Sequence, residues 1–187
     1  LATLTSVALL FIVTPRMWLD IPLQTGKEIS VVVQESPKTS KTLAKLFEEC
    51  PRLKDTSHHE QIFDAVSHAS DSYGVEDELI LAMLVVESRC NAKARSKAGA
   101  MGMMQLMPRT ARWLGVKKPY DVRDNVLGGT KYVSKLMKTF DEELPLVLAA
   151  YNSGPTRVKR LNRVPRIRET RNYISKVLRI YKELKRV

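Results

Sequence analysis

From Ser40 to the C-terminus, apolar side chains recur every three or four residues, the spacing that places them on one face of a helix. The inward positions of the first two predicted helices are Leu43, Leu46 and Phe47, then Ile62, Val66, Ala69 and Tyr73. Gly74 ends the second helix, because glycine readily adopts the left-handed backbone that closes helices. Residues 75–89 begin with three acids and run apolar from Leu79 to Val86, which predicts a central helix buried on every side.

Three further helices follow in the pattern. Pro108 opens a short helix that Gly115 ends, and Asp124 is the predicted N-cap of the next one. The inward positions of that next helix are Val133, Leu136, Met137 and Phe140. The segment PLVLAAYN predicts a short helix that stops at Gly154-Pro155.

The last helix covers roughly residues 169–185 and is amphipathic. Its apolar side consists of Tyr173, Val177, Leu178, Tyr181 and Leu184. Strand signals are sparse, so the predicted fold class is all-α, with at most a small β-hairpin near Gly99 and Gly102.

The N-terminal region has a different pattern. Residues 1–15, LATLTSVALLFIVTP, form an apolar run that is shorter than the about 20 residues of a bilayer crossing. The run shows no small-x-small cleavage site, which favours part of a retained membrane anchor over a removed signal; a buried helix is the alternative. We therefore predict an apolar segment at 1–19, a linker with one short strand (EISVVVQE) at 20–41, and a single domain at 42–187.

Positive charge is concentrated near the C-terminus. Residues 157–187 contain twelve Lys or Arg against two acids, in a chain of net charge +11. Such a segment attracts polyanions: nucleic acid, anionic lipid or the carboxylate-bearing cell wall; a solvated helix face is the alternative interpretation. Because the segment has no nucleic-acid-reading motif and few aromatics beyond Tyr173 and Tyr181, no nucleic-acid partner is expected.

Cysteine and histidine suggest no metal site. Cys50 and Cys90 form either one disulfide across a long loop or two buried thiols, and the sequence leaves both open. Their spacing matches no zinc motif, and His58, His59 and His68 lie on one short stretch.

Glu87 is the residue that most suggests chemistry. It follows eight consecutive apolar residues, near the C-terminal end of the predicted central helix. Burial and the negative end of the helix dipole both disfavour its carboxylate form, so both raise its pKa. A carboxyl that stays protonated near neutral pH suits a general acid that donates to a glycosidic oxygen. A Glu that is merely the first helix residue to reach solvent is the alternative.

The residues after Glu87 carry a specific resemblance. Residues 87–111, ESRCNAKARSKAGAMGMMQLMPRTA, resemble the lytic transglycosylases of the soluble type, which belong to the lysozyme-like superfamily. Residues 148–158, LAAYNSGPTRV, resemble the A-A-Y-N-A-G-P motif of this family, and Glu169-Thr170 with Tyr173 resembles its E-T-x-x-Y element. Asp124-Asn125, Gly129, Tyr132 and Leu136 fall in the family's order between these blocks, so the resemblance covers about residues 60–181.

The resemblance implies a lysozyme-like catalytic domain in which Glu87 acts first as acid and then as base. The substrate-binding residues that it implies are Ser96, Gln105, Met107, Tyr151, Asn152 and Tyr173. Met107 in the core, Ser96 as a loop cap and Tyr173 as a packing residue are the structural alternatives. The family pattern has an aromatic residue at Cys90 and often Pro at Ala92, so these departures predict a looser loop after Glu87.

The implied reaction needs neither metal nor cofactor. Most glycosidases use two carboxylates, yet no Asp or Glu lies between Glu87 and Asp121. A lone Glu fits cleavage of the β-1,4 bond between N-acetylmuramic acid and N-acetylglucosamine with formation of a 1,6-anhydromuramic end. A goose-type lysozyme-like hydrolase and a non-enzymatic wall-binding or assembly module are the alternatives. We expect a monomer in the bacterial envelope, on the periplasmic side, with membrane association through the N-terminal segment; a phage virion is the alternative location.

Overall fold

The computed structural model of the chain describes residues 49–50 and 56–186. The chain divides into two units, Leu1–Gln34 and Glu35–Val187. The first unit, with the apolar run and the predicted strand, lies outside the described residues, and so does the predicted helix face of Leu43, Leu46 and Phe47. The domain boundaries proposed from the sequence therefore stay predictions.

Seven α-helices form the described part of the chain. They are α1 (Thr56–Tyr73), α2 (Asp77–Ser88), α3 (Pro108–Leu114), α4 (Val122–Thr139), α5 (Leu144–Ser153), α6 (Pro155–Leu161) and α7 (Arg168–Lys185). Extended pairing among the described residues is limited to two isolated bridges, Arg95 with Met101 and Met101 with Leu106. The all-α prediction, with a small extended element near the glycines, is confirmed.

Helix α2 is the centre of the core. Every residue from Leu79 to Val85 is buried, as the sequence predicts. The helix packs against α1 and α7, while α1 packs against α4. Its N-terminal end is tied to α7, because the Glu76 carboxylate accepts hydrogen bonds from Tyr181 at 2.6 Å and Lys185 at 2.7 Å. Its C-terminal end is tied by a disulfide between Cys50 and Cys90, the pairing that the sequence left open.

One prediction about a helix end needs correction. The N-cap of α4 is Asp121, not Asp124: the Asp121 carboxylate accepts the Asp124 N–H at 2.9 Å. Asp124 instead accepts the backbone N–H groups of Lys117 and Lys118, at 2.8 and 2.5 Å. Helix α5 ends at Gly154, as predicted, and Pro155 then opens α6, a further helix that the sequence pattern did not indicate. The other predicted ends, at Gly74, Pro108 and Gly115, are confirmed.

Asn125 of α4 holds the loop that follows α2. This fully buried side chain accepts the Met104 N–H at 2.7 Å and donates to the carbonyls of Met101, at 3.1 Å, and Pro119, at 2.7 Å. The loop approaches α4 so closely that a Cβ on Gly102 would lie 2.1 Å from the Pro119 carbonyl oxygen. One amide therefore fixes the loop that carries Gln105 and Met107.

We predict that Asn125→Ala lowers the free energy of unfolding by about 2–4 kcal/mol, because a buried N–H and two carbonyls lose their partner. Denaturant unfolding followed by circular dichroism measures the change. Lys138→Ala, at an exposed position of the same helix, should change stability by no more than about 0.5 kcal/mol. Equal losses in both variants would contradict the role of Asn125.

Candidate active site

Glu87 occupies the last turn of α2, where the buried helix reaches the protein surface. The side chain is half-buried, and Arg89 and Cys90 turn the chain away with left-handed backbone angles of 52° and 58°. Burial raises the pKa of Glu87 from 4.5 to about 7. The carboxyl is thus protonated in a large share of molecules at neutral pH, as the sequence argument predicts for a general acid.

Two tyrosines adjoin the Glu87 carboxyl. The Tyr173 hydroxyl, from α7, is buried. Among the described residues it has no partner at the distance and angle of a well-formed hydrogen bond. It interacts with Glu87 weakly, lowering the pKa of this carboxyl by less than burial raises it. Burial, and then the charge of Glu87, raise the pKa of Tyr151 and of Tyr173 well above 10. Both phenols therefore stay neutral, so neither places a negative charge beside Glu87.

A groove of about 250 Å³ lies beside Tyr151. It is lined by Gln105, Leu106, Met107, Thr110, Tyr132, Tyr151, Asn152, Gly154 and Pro155. Tyr151 links the groove to the acid, because this residue lines the groove and also feels the charge of Glu87. The groove mixes apolar surface with amide and hydroxyl groups, a composition that suits a sugar.

Four of the six predicted substrate-binding residues line this groove: Gln105, Met107, Tyr151 and Asn152. Met107 is 44% exposed, so the alternative interpretation, in which it belongs to the core, is wrong. The Gln105 side chain donates to the carbonyls of Gly102 at 2.7 Å and Ala94 at 3.3 Å, which leaves its own carbonyl oxygen as an acceptor. The Asn152 Oδ1 accepts the Thr170 hydroxyl at 2.8 Å, which leaves its NH₂ as a donor.

The other two predicted residues lie outside the lining of the groove. The half-buried Ser96 hydroxyl accepts the Ala100 N–H at 3.0 Å. This contact is the one expected if Ser96 is a loop cap. Tyr173 is buried beside Glu87. Their contact with substrate stays a prediction, and the geometry gives each a local role in holding its neighbours.

The sequence did not assign Thr110 and Tyr132 to the groove, although both residues match the family pattern. Tyr132 projects from α4 and packs its ring against Tyr151, with the centroids 5.3 Å apart. Thr110 lies in the first turn of α3, just after Met107 and Pro108. Their positions in the family pattern were the one sequence signal that could have assigned them to the groove. The packing of α3 and α5 on α4 is what brings them to one surface.

The loop after Glu87 was predicted to be loose, and this prediction is wrong. Cys90, which replaces the aromatic residue of the family pattern, is bonded to Cys50 and buried. The disulfide joins segments 40 residues apart in sequence. Packing by an aromatic ring is therefore replaced by a covalent link immediately after the last turn of α2.

A larger depression of about 460 Å³ is less suited to this chemistry. It is lined in part by Lys93, Lys118 and Asp121, but not by Glu87, Tyr151 or Tyr173. Among residues 49–50 and 56–186, no three His, Cys, Asp or Glu side chains cluster as metal ligands. The smaller groove is therefore the candidate site.

Comparisons with known sequences agree with this geometry. The family model of the transglycosylase SLT domain matches residues 64–174. A transglycosylase of Enterobacteria phage PRD1 is 34% identical over 94 residues, which cover 50% of this chain and 35% of the phage protein. Membrane-bound lytic murein transglycosylase F of Pseudoalteromonas translucida is 39% identical over 82 residues, covering 41% of this chain and 17% of the relative. The chain thus spans about a third or less of these two relatives.

Solved structures share the fold. An inactive variant of lytic transglycosylase Slt from Pseudomonas aeruginosa superposes with a TM-score of 0.59 at 27% identity, covering 66% of this chain and 24% of that one. The 70 kDa soluble lytic transglycosylase from Escherichia coli matches with a TM-score of 0.60 at 22% identity, over 82% of this chain and 31% of that one. The predicted all-α class is confirmed, because the chain shares the fold of these lytic transglycosylases.

Because the family model covers more than half of the chain, including Glu87 and all the groove residues up to Pro155, this chain belongs to the transglycosylase SLT domain family.

Proposed function

We propose that the chain is a peptidoglycan lytic transglycosylase that cleaves the β-1,4 bond between N-acetylmuramic acid and N-acetylglucosamine. The observation that carries the proposal is the Glu87 carboxyl, with a pKa of about 7, beside a sugar-sized groove. The family assignment and the fold support the same activity.

In the first step Glu87 protonates the glycosidic oxygen, and the C–O bond to the muramic C1 breaks. The neighbouring N-acetyl oxygen of the muramic residue stabilises the positive charge at C1. In the second step the Glu87 carboxylate accepts the proton of the muramic C6 hydroxyl while its oxygen bonds to C1. The product is a 1,6-anhydromuramic end, Glu87 returns to its acid form, and no water is consumed.

The positions of the other carboxylates favour this single-residue route. A second carboxylate could come only from further along the family motifs, from the 121–124 segment or from Glu169. Asp121 caps α4, and Asp124 holds two backbone N–H groups of the preceding loop. Glu169 is exposed in the first turn of α7. Burial and Tyr173 account for the pKa of Glu87, and neither cause is a second carboxylate.

The groove residues take the roles that their free atoms permit. The Gln105 carbonyl oxygen accepts, and the Asn152 NH₂ donates, hydrogen bonds to sugar hydroxyls or N-acetyl groups. Met107 and Tyr132 supply apolar surface for the sugar ring. The Tyr151 hydroxyl donates to the Met104 carbonyl at 2.7 Å, which fixes the wall nearest Glu87. Ser96 and Tyr173 position the loop and the carboxyl.

The proposed location is the bacterial envelope, or a phage particle that acts on it. Relatives named as membrane-bound enzymes and a phage protein support these two settings. None of the helices in the described ranges is both long enough and apolar enough to cross a bilayer. Association with the membrane is proposed for residues 1–19, and the protein is proposed to act as a monomer without a cofactor.

Glu87→Gln should abolish the release of soluble muropeptides from purified sacculi, with a rate loss of at least about hundredfold, because the amide neither donates nor accepts the proton. Mass spectrometry of the wild-type digest should show anhydromuropeptides. Reducing-end muropeptides would instead identify a hydrolase. Glu78→Gln, at the opposite end of α2, is the matched control and should keep near wild-type activity; near-normal activity of Glu87→Gln would reject the assignment.

The pH profile of kcat/KM should fall on its alkaline side with an apparent pKa near 7, because Glu87 must be protonated to begin the reaction. Initial rates on a soluble glycan strand between pH 5 and pH 9 (about two units on either side) measure the profile. An alkaline limb several units higher would show that another group is the acid.

The basic surface, defined as Arg157, Lys159, Arg160, Arg163 and Arg166, is exposed and adjoins the groove residues Gly154 and Pro155 in sequence. We predict that it attracts the anionic wall, so that binding of the Glu87→Gln variant to sacculi weakens as salt rises. Reversal of Arg160 and Arg163 to Glu should flatten this salt dependence. Replacing the exposed Arg112 and Lys138 by Glu changes the net charge by the same amount and serves as the control. If both double variants lose the salt dependence equally, the attraction comes from the overall charge and not from the basic surface.

A further inference from the structure

The large exposed apolar side chains of the described residues are concentrated on one short helix. They are Met107, 44% exposed, just before α3, and Trp113, 63% exposed, near its end. Met107 lines the candidate groove, whereas the family motif assigns no role to Trp113. An exposed Trp beside a binding groove is more informative than a scattered surface residue, because soluble proteins seldom leave so large a ring uncovered.

A second depression continues the groove toward Trp113. Its volume is about 310 Å³, and it is lined by Arg109, Thr110 and Trp113. Thr110 lines both cavities, so the two share an edge. Trp113 lies three residues after Thr110, hence on the same face of the helix and about one turn further along.

Three aromatic rings connect the acid to this second depression. The Tyr151 and Tyr132 centroids are 5.3 Å apart, and those of Tyr132 and Trp113 are 6.0 Å apart at an interplanar angle of 88°. The Lys135 ammonium lies 5.4 Å from the centre of the indole ring. These contacts hold the indole in place while most of its surface stays open to solvent, so a ligand meets a preformed platform.

We propose that Trp113, Thr110 and Arg109 form an additional saccharide subsite, which binds an N-acetylated amino sugar of the same glycan strand beyond the groove. The proposal rests on the proposed function. The indole ring covers the apolar C–H face of the sugar. The Thr110 hydroxyl and the exposed Arg109 guanidinium bond sugar hydroxyls, N-acetyl oxygens or the carboxylates of the attached peptide. Long strands therefore bind more tightly than short ones.

The test compares chitooligosaccharides of different length in the Glu87→Gln background, where no turnover occurs. Calorimetry should show that Trp113→Ala weakens binding of chitohexaose by about three- to tenfold, the effect of one aromatic contact, and leaves chitobiose binding nearly unchanged. Trp113→Tyr should restore most of the affinity. Arg109→Ala should also weaken binding of the long ligand, whereas the exposed Arg112→Ala, on the same helix, should not.

Equal affinity of the parent and of Trp113→Ala for chitohexaose would overturn the subsite. The subsite would also be overturned if Trp113→Ala changed the self-association seen by size-exclusion chromatography but not the affinity for sugar. The ring would then belong to an interface between copies of the chain. Failure of the proposed function is recognised separately. If the wild type leaves sacculi uncleaved, the lyase activity is rejected. If Trp113→Ala still weakens binding of chitohexaose more than of chitobiose, the saccharide subsite is kept.

Discussion

The burial of helix α2 is the constraint on which the site depends. Its seven consecutive buried residues place the last turn where Glu87 is only half solvated, and this environment raises the pKa from 4.5 to about 7. Such a shift disfavours the charged form by roughly 3 kcal/mol. Because an acid with a raised folded-state pKa holds its proton more tightly when folded, the contribution of Glu87 to stability is most favourable at low pH and declines as pH rises from the unfolded pKa through about 7. The position of Glu87 thus costs the fold part of its stability at neutral pH.

The remaining contacts keep this end of α2 fixed relative to the groove. The Cys50–Cys90 disulfide holds the segment immediately after Glu87, and the ion pair of Glu76 with Lys185 holds the opposite end of the helix. Asn125 attaches the intervening loop to α4 through two hydrogen bonds, to Met104 and Met101, and a third joins it to Pro119. The acid comes from α2, the groove walls come from the loop, α4 and α5, and Tyr173 comes from α7. Their relative positions therefore depend on tertiary contacts, each of which joins two of these elements.

The helix ends at Gly74, Pro108 and Gly115 could be predicted from the sequence. Glycine favours the left-handed backbone that ends a helix, and proline favours the first helical position. The N-cap of α4 was mistaken since Asp121 and Asp124 are both acceptable caps three residues apart, and only the bonds to Lys117 and Lys118 decide between them. The Gly154-Pro155 pair indicated a stop but equally permits a new helix, with Pro155 at its first position. Motif spacing located Glu87, Gln105, Met107, Tyr151 and Asn152. It could not single out Trp113, which becomes a candidate only through its packing on Tyr132 of another helix.

In the proposed reaction, a pKa near 7 allows a single carboxyl to act twice. A Glu with its ordinary pKa of about 4.5 would be protonated in only about 0.3% of molecules at pH 7, too few for an efficient acid, and its carboxylate would be a weak base. At a pKa of about 7, half the molecules hold the proton at neutral pH, and the conjugate base is several hundred times stronger as a proton acceptor by the same shift. The two neighbouring tyrosines preserve this balance because their own raised pKa values keep them uncharged. Hence, in the proposed reaction, the burial that disfavours the Glu87 carboxylate in the resting protein makes a second carboxylate unnecessary.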